Sequence, residues 1–400
     1  MNMQENQRVL LQKSAEHFDS PFFCYDLDTL DTQINDMKSK LDNESVRIWY
    51  SCKANPLSNV ISKFVDHGFG MDVSSDGELD QVLRAGCKPE NILLEGPGKS
   101  KKHLENAVSR GVGLVVLEST NQALWLNEIA KAQGKKIKVL LRFQLPSMDP
   151  RTAHEDITAF GIYPQDWIDF NIKSCDALDV QGVHIFQWNN VLDIYRLRGI
   201  WYQALLSTRE ICAQAKIPMN IVDLGGGIGI PYNLKEKPLN LADINRTLLD
   251  LKRDFDLKNI WLRLGRYSIG EHGFYATRVI DRKSVMGKEI LVMEGGINHL
   301  SRVTMGKQTY PCELLRHSQA PMKEFQLHGP LCTARDRFGM FNLPEDINVD
   351  DWLVFRHIGA YGFTECMPYF LCNNLPGESV IQNGELKFVR EVTSSLSWRV

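Results

Sequence analysis

Between positions 46 and 264 the chain alternates short apolar runs with longer stretches in which apolar residues recur every three or four positions. The short runs fall at 46–50, 70–73, 91–94, 114–117, 137–143, 182–186, 220–224 and 260–264, with the length and β-rich composition of buried strands. Amphipathic helical spacing occupies 57–67, 76–85, 100–110, 121–133, 164–172, 192–215 and 241–255. Ser100 and Asn121 stand where helices should be capped, and Gly68, Gly86, Gly111 and Gly134 where they should stop. Strands that alternate with helices predict parallel pairing through right-handed crossovers, and eight of them match a closed (β/α)8 barrel. An open doubly wound sheet is the competing arrangement. It would place its glycine-rich turn after the first strand, whereas here the glycines follow the seventh.

Beyond Gly273 the helical period almost vanishes. Runs at 274–281, 289–293, 324–328, 352–358, 379–381 and 385–391 read as strands, with Asn383-Gly384 as a turn between the last two. An apolar run at 21–27 precedes the first helical stretch. The expected organisation is α/β: a barrel over 28–272, and a C-terminal all-β domain over 273–400 that the N-terminal strand, with residues 1–27, joins.

Composition narrows the functional classes. A formal net charge of -3 over 400 residues offers no basic field for nucleic acid or anionic lipid. No uncharged apolar run approaches the length of a membrane span, and the polar start lacks the pattern of a secretory signal, so a cytoplasmic protein is expected. Nine cysteines without CxxC pairs fit a reducing compartment, and no cluster reads as a metal site.

The chemistry gathers where strands end. Lys53 follows the first barrel strand directly, in Tyr50-Ser51-Cys52-Lys53-Ala54-Asn55-Pro56. A lysine at the rim of an apolar strand must be paired, discharged or snorkelled out, and one use of such a lysine is a Schiff base with a carbonyl cofactor. Asp72, Ser75 and Glu78 follow the second strand, Arg142 lies in the fifth, and His184 and Phe186 in the sixth, ahead of Asn189. The seventh runs into Gly225-Gly226-Gly227 and the eighth into Gly265-Arg266-Tyr267. Loops after the seventh and eighth barrel strands are a common phosphate site, and bare glycine amides with a neighbouring arginine suit an anion. A phosphate cradle and a lysine on one barrel mouth point to pyridoxal 5'-phosphate and a small-molecule substrate.

These motifs, with Gly70-Met71-Asp72-Val73-Ser74-Ser75, Gly329-Pro330-Leu331-Cys332 and Gly359-Ala360-Tyr361-Gly362, resemble the fold-type III pyridoxal-phosphate decarboxylases, the family of ornithine and diaminopimelate decarboxylases. The resemblance spans nearly the whole chain. It implies that Lys53 bears the cofactor, that Gly225, Gly226, Gly227, Gly265, Arg266 and Tyr361 hold its phosphate, and that Asp72 and Glu78 stand behind the lysine. It also implies a homodimer in which Cys332 reaches the partner's cofactor and manages protonation after carbon dioxide leaves.

Departures from the family pattern bear on substrate. Phe186 takes the place of a stacking histidine, with His184 two residues earlier, and Asn189 that of a phosphate-binding serine. Arg263 stands where the family has a glutamate that keeps the pyridine nitrogen protonated. An arginine facing inward there would favour an unprotonated ring, as in the alanine racemases that resemble this barrel. Thr333 follows Cys332 where diaminopimelate decarboxylases have glutamate. Trp188-Asn189-Asn190 and Glu294-Gly295-Gly296-Ile297-Asn298-His299-Leu300 are closer to the branch acting on conjugated amino acids, such as citryl-amino-acid decarboxylases of siderophore biosynthesis or glutamyl-carrier-protein decarboxylases. His184, Arg142, Arg302 and Asp336 are candidate substrate contacts, with Arg335 and Arg337 as further cations for a citryl group. A diaminopimelate- or ornithine-type decarboxylase, a racemase on the same barrel and a non-catalytic relative stay open as alternatives.

Overall fold

In a computed structural model, the protein is described over residues 3–146, 157–233, 235–306 and 308–398. Eight parallel strands close into a barrel in chain order. Counting a preceding strand β1 (Phe22–Asp26), these are β2 (Val46–Ser51), β3 (Gly70–Val73), β4 (Ile92–Leu94), β5 (Leu114–Leu117), β6 (Ile137–Phe143), β7 (Leu178–Ile185), β8 (Ile221–Asp223) and β9 (Asn259–Leu264). Each of the eight expected runs forms one of them, and β9 closes on β2, with Val46 opposite Ile260 and Tyr50 opposite Leu264.

Packing inside the barrel explains its composition. Trp49, Leu93, Leu114, Val116, Leu140, Ile221 and Trp261 form one buried cluster, so apolar area removed from water holds the cylinder together. Gly70 is required beside it, because a Cβ there would come within 2.3 Å of the Trp49 ring. The strand ends nearer the site carry charge instead.

Helix ends follow local chemistry. The Ser100 hydroxyl caps Lys101–Ser109 by accepting from the His103 amide. Asn121 is not a cap: the helix Thr120–Ala132 starts one residue earlier and Ser119 caps it. Gly68 leaves the helix Ser58–Asp66 with φ +73°, a conformation that spares the chain a Cβ clash.

A second compact unit comprises Met1–Thr32, Pro231–Lys237 and Ile269–Val400; the barrel unit comprises Gln33–Ile230 and Pro238–Ser268. The second unit is built on β10 (Gly273–Val285), β11 (Lys288–Met293), β12 (Cys312–Leu314), β13 (Met322–His328), β14 (Arg337–Pro344), β15 (Trp352–Arg356), β16 (Gly377–Gln382) and β17 (Glu385–Arg390). The order β14-β13-β11-β10-β1-β16-β17 puts the N-terminal strand inside this sheet, antiparallel to β10 and parallel to β16. The unit is not wholly β. The helix Glu5–Phe18 lays Leu11, Ala15 and Phe18 on the core formed by Phe22, Cys24, Phe274 and Val354.

Two strands have no counterpart in the sequence pattern, β12 and β14. In β14, Gly339 has φ +117° and the pairing with β13 slips between Leu327 and His328, so strict alternation is lost. No disulfide joins the cysteines among the described residues.

Candidate active site

The carboxyl ends of the barrel strands carry a dense set of buried charges. Lys53 lies in the short turn Cys52–Ala54 that ends β2. Its side chain is 47% exposed, yet Nζ reaches down to 2.5 Å from Glu95 Oε1. Glu95, the residue after β4, is buried, and its other oxygen accepts from Arg263 Nη1.

Arg263 faces inward from β9. Its Nε lies 3.0 Å from Asp223 Oδ2, Nη1 lies 3.6 Å from Asp72 Oδ1, and Nη2 rests against the His184 imidazole. Arg142, inward from β6, donates to Glu118 Oε1 at 3.0 Å and stands 3.8 Å from Glu95. Lys99 is buried, donates to the Gly96 carbonyl, and lies 4.0 Å from Glu118. Four acids, Asp72, Glu95, Glu118 and Asp223, thus face four cations, Lys53, Lys99, Arg142 and Arg263. Buried charges persist only when paired in this way.

The network sorts the protonation states. Burial raises the Glu95 pKa, but Arg263, then Lys53 and Arg142, more than reverse this and hold it well below the usual carboxylate range. Asp72 goes the other way: burial, then the Glu95 charge, pushes it up to about 7. Burial also raises Asp223. Burial, helped by Arg263 and Arg142, holds His184 well below its ordinary value, so the imidazole is neutral. Burial of Lys99 lowers it to about 8.

A pH experiment follows from Asp72. A carboxyl with a raised pKa stabilises the fold fully below about 3.9, its unfolded value, and loses that contribution as pH rises through about 7. Asp72→Asn does not titrate. The stability of wild type relative to this variant, from urea unfolding, should therefore fall steadily between pH 4 and pH 8.

The glycine turn lies on the same floor. The Gly225 amide donates to Asp223 Oδ1 at 2.8 Å, and the Gly225 carbonyl accepts from the Arg263 amide at 2.8 Å. Gly225 and Gly227 have φ of +65° and +97°. A Cβ on Gly225 would strike the Phe186 ring at 2.7 Å, and one on Gly226 would strike the Arg263 carbonyl at 2.6 Å. The turn is pinned to the loop after β7, where the Val191 amide donates to the Gly227 carbonyl at 2.8 Å and Asn190 Oδ1 accepts from Ile230. Asn189 is exposed on that loop, and Arg266 opens the helical turn directly after β9.

Three expected substrate contacts are engaged elsewhere. The Arg142 guanidinium is spent on Glu118 and Glu95. In the second unit, Arg302 pairs with Glu365 at 2.7 Å and stacks on the Tyr361 ring at 4.4 Å, with Tyr361 at φ +57°. Asp336 turns inward and accepts from the Ile297 and Leu331 amides at 2.9 and 2.8 Å; a Cβ on Gly296 or Gly329 would hit its carboxylate. Asp336 therefore fixes the loop that carries exposed Cys332. Asp336→Ala strands two buried amides and should cost about 2–4 kcal/mol of unfolding free energy in denaturant titration.

Glu95 and Glu118 belong to the candidate site and were missed by sequence reasoning. Each directly follows an uncharged apolar strand, the same signal that marked Lys53.

The arrangement fits pyridoxal phosphate. It supplies a lysine at a strand end, a turn of amides that side chains would fill, and buried Asp72 Oδ1 and Asp223 Oδ2, neither of which has a hydrogen bond among the described residues. The pyridoxal binding domain of the pyridoxal-dependent decarboxylases matches residues 27–270. The chain belongs to that family. This decarboxylase is thus a pyridoxal-phosphate-dependent lyase acting on amino-acid carboxylates.

It is 26% identical over 416 residues to the L-glutamyl-[BtrI acyl-carrier protein] decarboxylase of Niallia circulans, covering 98% of this chain and 94% of that one. It is 27% identical over 389 residues to the 2-[(L-alanin-3-ylcarbamoyl)methyl]-2-hydroxybutanedioate decarboxylase of Staphylococcus aureus, covering 92% and 96%. The fold is similar to that of the Helicobacter pylori diaminopimelate decarboxylase complexed with L-lysine, with a TM-score of 0.85, 22% identity and coverage of 96% and 97%.

Gly226→Ala tests the cradle. With a Cβ forced against the Arg263 carbonyl, pyridoxal phosphate should bind at least about tenfold more weakly in fluorescence titration, a 1.4 kcal/mol loss.

Proposed function

We propose that this decarboxylase removes the α-carboxylate of an amino acid already conjugated to an acidic group, a citryl-amino-acid in cytoplasmic siderophore biosynthesis. Pyridoxal phosphate supplies an electron sink for the pair left when carbon dioxide departs. Lys53 bears the cofactor, and Gly225, Gly226, Gly227, Gly265, Arg266 and Tyr361, with Asn189, bind its phosphate. Phe186 flanks the glycine turn as an aromatic stacking surface. Two copies assemble so that Cys332 of one serves the site of the other and returns a proton to the substrate carbon.

The Cys332 loop carries the substrate reading. Arg335 and Arg337 are exposed there beside Cys332, while Asp336, the sole acid of residues 329–337, is buried against two amides. A free diamino acid needs an acidic partner for its distal amine, and this loop offers none. A conjugate bearing carboxylates meets two guanidinium groups instead. The Niallia and Staphylococcus relatives, whose names specify conjugated substrates, support the same choice.

Carbon dioxide release from a panel of diaminopimelate, ornithine and citrate amides of diamino acids tests it. The citrate amides should exceed the free amino acids by at least about 100-fold in kcat/KM, a ratio within reach of two charged contacts. Preference for diaminopimelate or ornithine would refute the reading. Chiral analysis of the recovered substrate excludes racemisation if no enantiomer forms.

A further inference from the structure

Glu95 stands at the centre of the barrel floor, and no role above requires it. Its carboxylate is divided between two cations: Oε1 faces Lys53 Nζ at 2.5 Å and Oε2 receives Arg263. Arg263 in turn is gripped from other sides, by Asp223 at 3.0 Å and by His184. The guanidinium cannot swing away from Glu95 without unpairing a buried acid. Glu95 is therefore held in one orientation, with one oxygen presented to the lysine.

Other acids near Lys53 are occupied differently. Asp72 Oδ2 accepts from Ser51 Oγ at 2.8 Å, and Glu78 Oε2 accepts from the Ser74 amide at 2.6 Å.

We propose that Glu95 is the positioning residue for Lys53: aimed by Arg263, it holds the lysine amine as an ammonium whenever that amine is not joined to the cofactor. A lysine that gives way to a substrate amine needs a stabilised place to wait, and a buried carboxylate at hydrogen-bond distance provides one. The role rests on Lys53 being the cofactor-bearing lysine.

Two measurements on the full chain test it. In the cofactor-loaded protein, borohydride reduction and mass analysis of the Lys53 peptide give the methylamine concentration at which half of the cofactor has left the lysine. Glu95→Gln should raise that concentration about tenfold, because the released ammonium loses its partner. In cofactor-free protein, acetic anhydride labelling of Lys53, normalised to exposed Lys88 and Lys136, should rise about tenfold in Glu95→Gln. A change below twofold in either quantity overturns the proposal.

Should the glutamine variant not fold, Arg263→Lys leaves Glu95 in place without its fork-shaped partner. Lys53 labelling should then rise about threefold, and unchanged labelling overturns the proposal equally. If the wild-type Lys53 peptide carries no reduced cofactor, the assignment of Lys53 fails instead. Cofactor on Lys53 with unchanged labelling in Glu95→Gln removes only the role of Glu95.

Discussion

Lys53→Ala is expected to lower carbon dioxide release by roughly 10⁴-fold or more, while the melting temperature stays within about 4 °C of wild type. The side chain is half exposed at the end of β2 and its amine meets buried Glu95, so little packing is lost with it. What disappears, on the proposed assignment, is the nucleophile that joins the protein to the cofactor. The absorbance of the cofactor-lysine adduct should vanish too, and borohydride should fix no cofactor at position 53. A mixture of Lys53→Ala and Cys332→Ala chains should regain roughly a quarter of wild-type activity if sites are shared across a two-fold dimer. No recovery would confine Cys332 to its own chain.

Arg263→Met should be the most destabilising single change on the barrel floor, by about 3–5 kcal/mol at pH 7 in denaturant unfolding. The methionine keeps part of the stem volume but leaves Glu95, Asp223 and Asp72 without their central cation. The penalty has a defined pH sense. In wild type, the depressed Glu95 pKa stabilises the fold above about 4.3 and that contribution is lost as pH falls through its lower folded value. Without Arg263, burial is opposed less and the acids take up protons at higher pH. The gap between wild type and variant should therefore narrow as pH falls from 7 to 4. A constant gap would mean that Arg263 acts through packing alone.

The substitution at position 263 also shows how far a chain can be read residue by residue. By the family resemblance, Arg263 stands where a glutamate is expected, and the chain alone leaves an inward cation, an outward side chain or another acid in the glutamate's place as readings. Arg263 faces inward and meets Glu95, the residue after β4, 168 positions away in the chain. Two charged residues that look unrelated in one dimension form a pair across the barrel.

Much of the architecture was legible because its causes are local. Strand and helix periods, glycines at helix ends and the Ser100 cap act within a few residues, so all eight barrel strands could be placed from the chain. Lys53 and the triple glycine were legible for the same reason, since a charge or a run of bare backbone at a strand end stands out against apolar neighbours. The bulged β14 and the helix Glu5–Phe18 in the β-rich unit were not. Their stability comes from partners far away in sequence, β13 for one and the core around Phe22 and Val354 for the other.

Charge pairing lay furthest out of reach. The sequence alone placed a lysine at a strand end, a triple-glycine turn and a barrel to hold them, because each is written in consecutive residues. Only the tertiary structure decided that Arg142, Arg302 and Asp336 are consumed by internal partners, and that Arg335 and Arg337 are left exposed. Whether a charge is available depends on what the fold brings within about 4 Å of it, and Coulomb's law takes no account of separation along the chain.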